Sequence, residues 1–280
     1  MHKIIAAFDG LNYSKSTSEY AMQLSKKING FLTGVFLDDR TYTSYKIYQL
    51  IANNGISEKK LRTYKEVDEK KRFTASKEFD EECNLKGIPH IIHHDKQIAL
   101  IELLHESIFA DLLLINNQET FSHHSENAPS RFIRDLLSDV HCPVLLTPSD
   151  YKPIEQLFFL YDGQPQSMHA LKMFYYIFQD FGNIPIEIIS IKSMESNMHL
   201  PDGKFIKEWI GRHFKNATYT TLKGLPANEI VHHINKSKKH SIIILGAHRK
   251  TILSRWFTSS ITDVIIKEFD MPLFMSQQIN

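Results

Sequence analysis

A chain of 280 residues with 33 Lys and Arg against 32 Asp and Glu carries a formal net charge of +1, so it presents no global field to nucleic acid or to an acidic membrane surface. Its two cysteines, Cys83 and Cys142, make no disulfide framework and show no zinc-type spacing, and no apolar run reaches the length that crosses a bilayer. Met1, His2 and Lys3 lead into an apolar run that stops at Asp9, short of a signal-peptide core, and the expected location is the cytoplasm.

In chain order, Lys3 to Phe8 reads as a buried strand, followed by a helix with Ala21, Leu24 and Ile28 on one stripe and Gly30 at its end. Phe31 to Leu37 is a second strand. The stretch from 38 to 87 is longer than one crossover needs, and its charged part, Lys59 to Leu85, is helical by composition, so an insertion is expected there. Lys70, Lys71 and Arg72 in it read as a solvated helix face, as do Lys236, Lys238 and Lys239 later in the chain. Ile88 to His93 is a strand, Ile98 to Ser107 a helix, and Asp111 to Ile115 a continuous apolar strand of the kind covered on both faces. Phe132, Ile133, Leu136, Leu137 and Val140 mark a helix, Cys142 to Thr147 a strand, and the polar stretch from Pro148 to Pro153 a linker.

The order then repeats. Strands are expected at Leu157–Tyr161, Ile186–Ile191, Ala217–Leu222, Ser241–Leu245 and Pro272–Met275, with helices at Met168–Phe181, Phe205–Phe214, Ala227–Asn235 and Ile261–Phe269 between them. The repeat is visible in residues: Asp9-Gly10 with Ser14 recurs 153 positions later as Asp162-Gly163 with Ser167, each Ser placed to cap a helix. Pro143 and Pro272 repeat at an offset of 129, which sets Asn117 opposite Gly246 and puts the extra length of the first half in its middle. The expected architecture is α/β: two tandem doubly wound, mostly parallel five-stranded sheets with helices on both faces, Rossmann-like. The domains are expected at 1–148, with the insertion around 38–87, and at 153–280.

In such sheets ligands sit beyond the carboxyl ends of the strands, where the strand order reverses. There the second half has Gly246, Ala247, His248 and Arg249, then nine residues, then Ser259 and Ser260 opening a helix. A glycine admits a phosphate to the backbone, and a helix N-terminus offers free N–H groups. This pattern resembles the universal stress protein family, whose nucleotide-binding members carry Gly, two residues, Gly, nine residues, then Gly and Ser or Thr. The resemblance spans nearly the whole chain in two copies. Arg249 and Ser259 stand where the second and third glycines would.

The resemblance implies the adenine nucleotide alpha hydrolase-like form of the Rossmann-like fold, and ATP or another adenine nucleotide held by Asp162, Ile191, Gly246, His248, Arg249, Ser259, Ser260 and Ile261. Arg249 has two readings, a phosphate clamp or an occluding side chain. The degenerate counterpart in the first half comprises Asp9, Val35, Asn117, Thr120, Ser130 and Arg131, with His123, His124 and Glu126 filling a loop that has lost its glycines. The insertion from 38 to 87 could place a helix over that loop. The resemblance also implies that the two domains pair as a covalent form of the family's dimer, and it leaves a homodimer of whole chains open.

Three readings of function stand: a nucleotide-binding stress-response module, a nucleotide-free scaffold for an unknown protein partner, and a slow ATPase or self-phosphorylating enzyme accepting phosphate at Ser254, Ser259 or Ser260. Walker, nucleophile-elbow and dinucleotide glycine patterns are absent from the sequence, and no catalytic residue is assigned. Asp9 and Asp162 read as turn-forming residues more readily than as general bases. No metal site is assigned: His93 and His94 point to opposite faces of a strand, and Glu229 with His233 makes at most two ligands. The run Phe174, Tyr175, Tyr176 and Phe178 exceeds one buried stripe, so part of it is expected to meet a partner domain or subunit.

Overall fold

The computed structural model describes residues 1–38, 58–122, 126–194, 198–246 and 259–277, with backbone alone at Glu58, Ser259 and Ser260. The chain divides into two compact units, Met1–Asp139 and Val140–Asn280.

The first unit runs β1 (Lys3–Phe8), α1 (Lys15–Ile28), β2 (Phe31–Leu37), α2 (Glu58–Lys86), β3 (His90–Asp95), α3 (Ala99–Ser107), β4 (Leu112–Asn116) and α4 (Arg131–Asp139). Its strands lie in the order β3-β2-β1-β4, all parallel. β1, β2 and β4 are buried on both faces, which is why they read as continuous apolar runs. Ser14 caps α1, its Oγ accepting the N–H of Thr17 at 3.2 Å. The helix stops where Asn29 takes the left-handed conformation (φ 51°), one residue before the expected Gly30.

Helix α2 is the 29-residue crossover helix that precedes β3. Its inward stripe is Asp68, Arg72, Ala75, Phe79 and Cys83, polar toward the helix start and apolar over the sheet. Phe79 packs on Phe8 (ring centroids 5.3 Å), Phe36 (6.0 Å) and His90 (6.0 Å). It lies so close to β2 that a Cβ on Gly34 would stand 2.5 Å from its Cε1. Lys70 and Lys71 are exposed as expected, but Arg72 turns inward, because Asp38 at the end of β2 offers it a carboxylate.

The second unit begins with β5 (Val144–Thr147), then β6 (Gln156–Leu160), α5 (Pro165–Ile177), a 3-10 turn (Gln179–Asn183), β7 (Ile186–Lys192) and α6 (Gly203–His213). It continues with β8 (Ala217–Lys223), α7 (Pro226–Ile234), β9 (Ser241–Gly246), α8 (Ser259–Glu268) and β10 (Leu273–Ser276). The order β8-β7-β6-β9-β10 is parallel throughout, and its first four members repeat the order of the first unit. β5 pairs antiparallel with β10, Leu273 opposite Leu146. The division between units therefore falls before β5, whereas the polar linker that suggested a boundary lies after it.

Two local expectations are corrected here. α5 starts at Pro165, three residues ahead of the position equivalent to the start of α1, because proline pre-sets the helical φ and has no N–H to satisfy. Ser167 is therefore inside the first turn, donating its hydroxyl to the carbonyl of Gln164 at 2.8 Å, and caps nothing. The aromatic run is largely absorbed inside the unit. Phe174 and Phe178 are buried with Phe181 and Phe274, and Tyr175 packs edge-on against Trp209, His213 and Phe214. Tyr176 alone of the four is exposed, at 52%.

Candidate functional site

The carboxyl ends of the central strands carry the candidate site in each unit. In the second, β6 ends at Leu160, and Tyr161, Asp162 and Gly163 turn toward α5. Asp162 is buried: its Oδ1 accepts the N–H of Gln164 at 2.9 Å, while Oδ2 is buried with no hydrogen-bond partner. Gly163 takes φ +85°, and a Cβ there would stand 2.7 Å from Pro201, so the segment leading into α6 closes over the end of β6. Burial and the carboxylates of Asp202 and Asp162 push the Tyr161 phenol up to about 12, which marks this strand end as poor in water and rich in negative charge.

Continuing the pairing of Leu160 with Ile189 by two residues sets Ile191 level with Asp162, and Ile191 is buried. Continuing Phe159–Ile244 by two sets Gly246 level with Tyr161. A Cβ on Gly246 would stand 2.6 Å from the backbone carbonyl of Gln166 and 2.8 Å from the N of Ser167. The glycine is therefore required by the close approach of β9 to the first turn of α5, whatever else occupies the site. Ser259 and Ser260 open α8 as expected and Ile261 is buried behind them. His248, Arg249 and Ser254 lie outside the described residues.

In the first unit, Asp9 is buried with Oδ1 accepting the N–H of Leu11 at 2.8 Å. The stem of Arg72 lies against Gly10, where a Cβ would stand 2.8 Å from its Cγ. Arg72 Nε is 3.3 Å from Asp38 Oδ1, and His94 Nδ1 is 3.3 Å from Asp38 Oδ2. The described part of the loop after β4 is occupied by its own groups, while His123 and His124 lie outside the described residues. Asn117 is buried with Oδ1 unpartnered, and Glu119 is buried beside Thr120. Ser130 Oγ accepts the N–H of Ile133 at 3.1 Å and caps α4. Arg131 points outward, its Nε 3.5 Å from Asp135.

No family model matches the chain, and no curated protein matches it in sequence. Solved structures do. A universal stress protein from Archaeoglobus fulgidus DSM 4304 superposes with a TM-score of 0.70 at 14% identity, covering 99% of this chain and 96% of that one. A functionally unknown protein from Pseudomonas aeruginosa PAO1 does so at 0.62 and 10% identity, covering 99% and 92%. The chain has the universal stress protein fold, in its tandem two-domain form.

Within that fold the two copies differ in register from the sequence alignment. Continuing Ala6–Leu114 by two residues sets Asn116, rather than Asn117, level with Phe8, and Phe8 is the equivalent of Tyr161. Asn116 is thus the counterpart of Gly246. It touches the same place, its Nδ2 lying 3.3 Å from the Oγ of Ser14 at the start of α1. By the same reasoning Leu37, not Val35, is level with Asp9, since Phe8 pairs with Phe36. Val35 sits two residues deeper in the core of the sheet.

The universal stress protein fold also places groups that sequence reasoning missed: Arg72, Asp38 and His94 over the first strand end, Glu119 in the first loop, and Pro201 with Asp202 over the second. His93 and His94 do face opposite sides, toward Glu106 (2.6 Å) and Asp38. His233 turns away from Glu229 to Glu187 (2.7 Å), which also accepts the Thr220 hydroxyl at 2.5 Å. Among the described residues no three metal-ligating side chains converge, and no helix is long and apolar enough to cross a membrane.

Proposed function

We propose that this chain is a cytoplasmic stress-response protein whose second unit binds an adenine nucleotide at the ends of β6, β7 and β9. The observation that carries the reading is Asp162 Oδ2, a carboxylate oxygen buried without a partner at the strand end. An unmet buried acceptor of this kind costs about 1–3 kcal/mol, and more when charged; a ligand donor such as an exocyclic amine recovers it. In this reading Ile191 packs on the base, and the α8 start with Ser259 and Ser260 faces the anionic end, where helix N–H groups favour phosphate. His248 and Arg249 complete the loop, Arg249 either clamping the phosphates or occluding them. Binding rather than turnover is the task assigned, no nucleophile or base being identified among the described residues.

The experiment is to denature freshly purified protein, identify any released nucleotide, and repeat thermal melts with ATP, ADP and AMP. Binding raises the melting temperature by mass action, and Asp162→Asn abolishes the shift. A second reading, a nucleotide-free scaffold, draws on Gly246, whose lack of a side chain is already explained by its contact with Gln166. No released nucleotide and no shift at millimolar ligand would establish the scaffold and overturn binding. Phosphate release lost in Asp162→Asn would instead point to slow hydrolysis. Sedimentation of the whole chain tests a homodimer.

A further inference from the structure

The outer strand of the second unit's sheet is β8, which pairs with β7 alone. Ile186 donates its N–H to the carbonyl of Asn216 at 2.9 Å, and Gly224 donates its own to the carbonyl of Lys192 at 3.1 Å. Bonding residues alternate along a parallel ladder, so between these two bonds Thr218, Thr220 and Leu222 turn their backbone groups to β7. Ala217, Tyr219, Thr221 and Lys223 turn theirs outward, where no described residue meets them. The strand is held from its inner side: Thr220 donates its hydroxyl to Glu187 on β7 at 2.5 Å, and the same carboxylate oxygen lies 2.7 Å from Nε2 of His233 on α7.

Native sheet edges are commonly guarded by prolines, bulges or charges. β8 runs Ala-Thr-Tyr-Thr-Thr-Leu-Lys over seven residues, with no proline or glycine and with its one charge at the last position. The strand is also complementary to itself. Laid antiparallel on a copy with the twofold axis at Thr220, it sets Ala217 opposite Lys223 and Tyr219 opposite Thr221, so that every outward N–H meets an outward carbonyl. Moving the axis to Tyr219 or Thr221 leaves one outward residue of each strand unmatched. Across the axis Thr220 meets Thr220, the Tyr219 ring meets the β-branched Thr221, and Lys223 faces no like charge in the opposing strand. The outer strand of the first unit, β3, offers nothing equivalent. Its outward residues are His90, Ile92 and His94, the matching register opposes His90 to His94, and His90 is already engaged by Asp80 at 2.9 Å.

We propose that β8 is the surface through which two copies of this chain associate, as an antiparallel pair of edge strands centred on Thr220. The inference rests on the homodimer reading, to which it gives a surface, and not on nucleotide binding. A strip of seven residues is about 23 Å long and, at about 10 Å deep, covers about 230 Å² on each copy. Stable interfaces take about 500 Å² or more per partner. The pair therefore forms at high concentration and parts on dilution.

The test is amide hydrogen exchange of the ligand-free full chain across a dilution series, with sedimentation alongside. The amides of Thr218, Thr220 and Leu222, bonded to β7 in either state, are the internal reference. Those of Ala217, Tyr219, Thr221 and Lys223 should exchange freely in dilute solution and gain about tenfold protection once about nine chains in ten are paired, the reference amides changing less. Ala217→Glu, facing the partner's Lys223 twice in each pair, should tighten association about fivefold, and Ala217→Lys should weaken it by as much. Adding Lys223→Glu to Ala217→Lys should restore it. Protection of the four outward amides that is absent at every concentration, or present and independent of it, overturns the proposal, as do equal effects of Glu and Lys at 217. A sedimenting dimer that leaves these amides unprotected keeps the homodimer and overturns this surface. Should the Lys variant not fold, the Glu variant and the wild-type dilution series decide.

Discussion

Gly34→Ala puts one methyl group where helix α2 meets the sheet. The added Cβ would stand 2.5 Å from Phe79 Cε1 and 3.0 Å from two further ring atoms. Comfortable carbon contacts lie at about 3.5–4.0 Å, so the ring has to retreat by about 1 Å. It has nowhere easy to go, with Phe8, Phe36 and His90 packed around it. Overpacking of this kind costs about 1–3 kcal/mol, while Phe79→Ala, which empties the site, costs about 3–5 kcal/mol. In the double variant the methyl group enters free space, and replacing a strand glycine by alanine then gains about 0.5–1 kcal/mol.

The two substitutions should therefore couple by about 2 kcal/mol or more, roughly 30-fold in the opening constant. Native-state hydrogen exchange of the β1 and β2 amides reads that constant without requiring the two units to unfold together. If Gly34→Ala costs as much in the Phe79→Ala background as in the wild type, the ring contact is not why glycine stands at 34.

Gly246→Ala should lower the melting temperature of ligand-free protein, by an amount equivalent to about 2 kcal/mol, because its methyl would meet the backbone of Gln166 rather than a mobile side chain; an unchanged ligand-free melt would leave the glycine to the ligand alone. Ser14→Ala should cost about 1 kcal/mol in a urea melt through loss of the α1 cap, and Ser167→Ala less than half of that, since its hydroxyl only returns to Gln164; equal costs would mean that both serines cap. Burial, and then the Glu82 and Asp80 carboxylates, push the Cys83 thiol up to about 12, so iodoacetamide at pH 8 should leave it unmodified in folded protein and label it in urea. Rapid labelling of the folded chain would contradict that burial.

Much of the fold was written in residue patterns, since strands buried on both faces and helices with one apolar stripe are what periodicity detects. β3 was placed two residues early, at Ile88, because Ile88 is an apolar residue that packs below the strand without joining it. The candidate site was less legible. Asp9 and Asp162 were found through the turn they make. Arg72 was hidden because a helix with charged residues on every side gives no sign of which one turns inward, and that depends on Asp38, distant in sequence and near in space. Glu119 was hidden for the same reason, as an acid in a polar loop is ordinarily solvated. The one-residue error at Asn117 arose from aligning prolines at the start of the last strands, whereas the ladder of β1 with β4 fixes Asn116 opposite Phe8.

The antiparallel pairing of β5 with β10 bears on how such a chain stays out of aggregates. Each copy of the repeat ends on a short strand, four residues long and buried throughout, of just the composition that recruits other chains when its edge is bare. Here the last strand of each copy finds the last strand of the other, so the two hazards cancel within one polypeptide. A single copy made alone would have to meet a second molecule to achieve this; the duplicated gene product supplies its own guard, at a fixed local concentration that dilution cannot reduce.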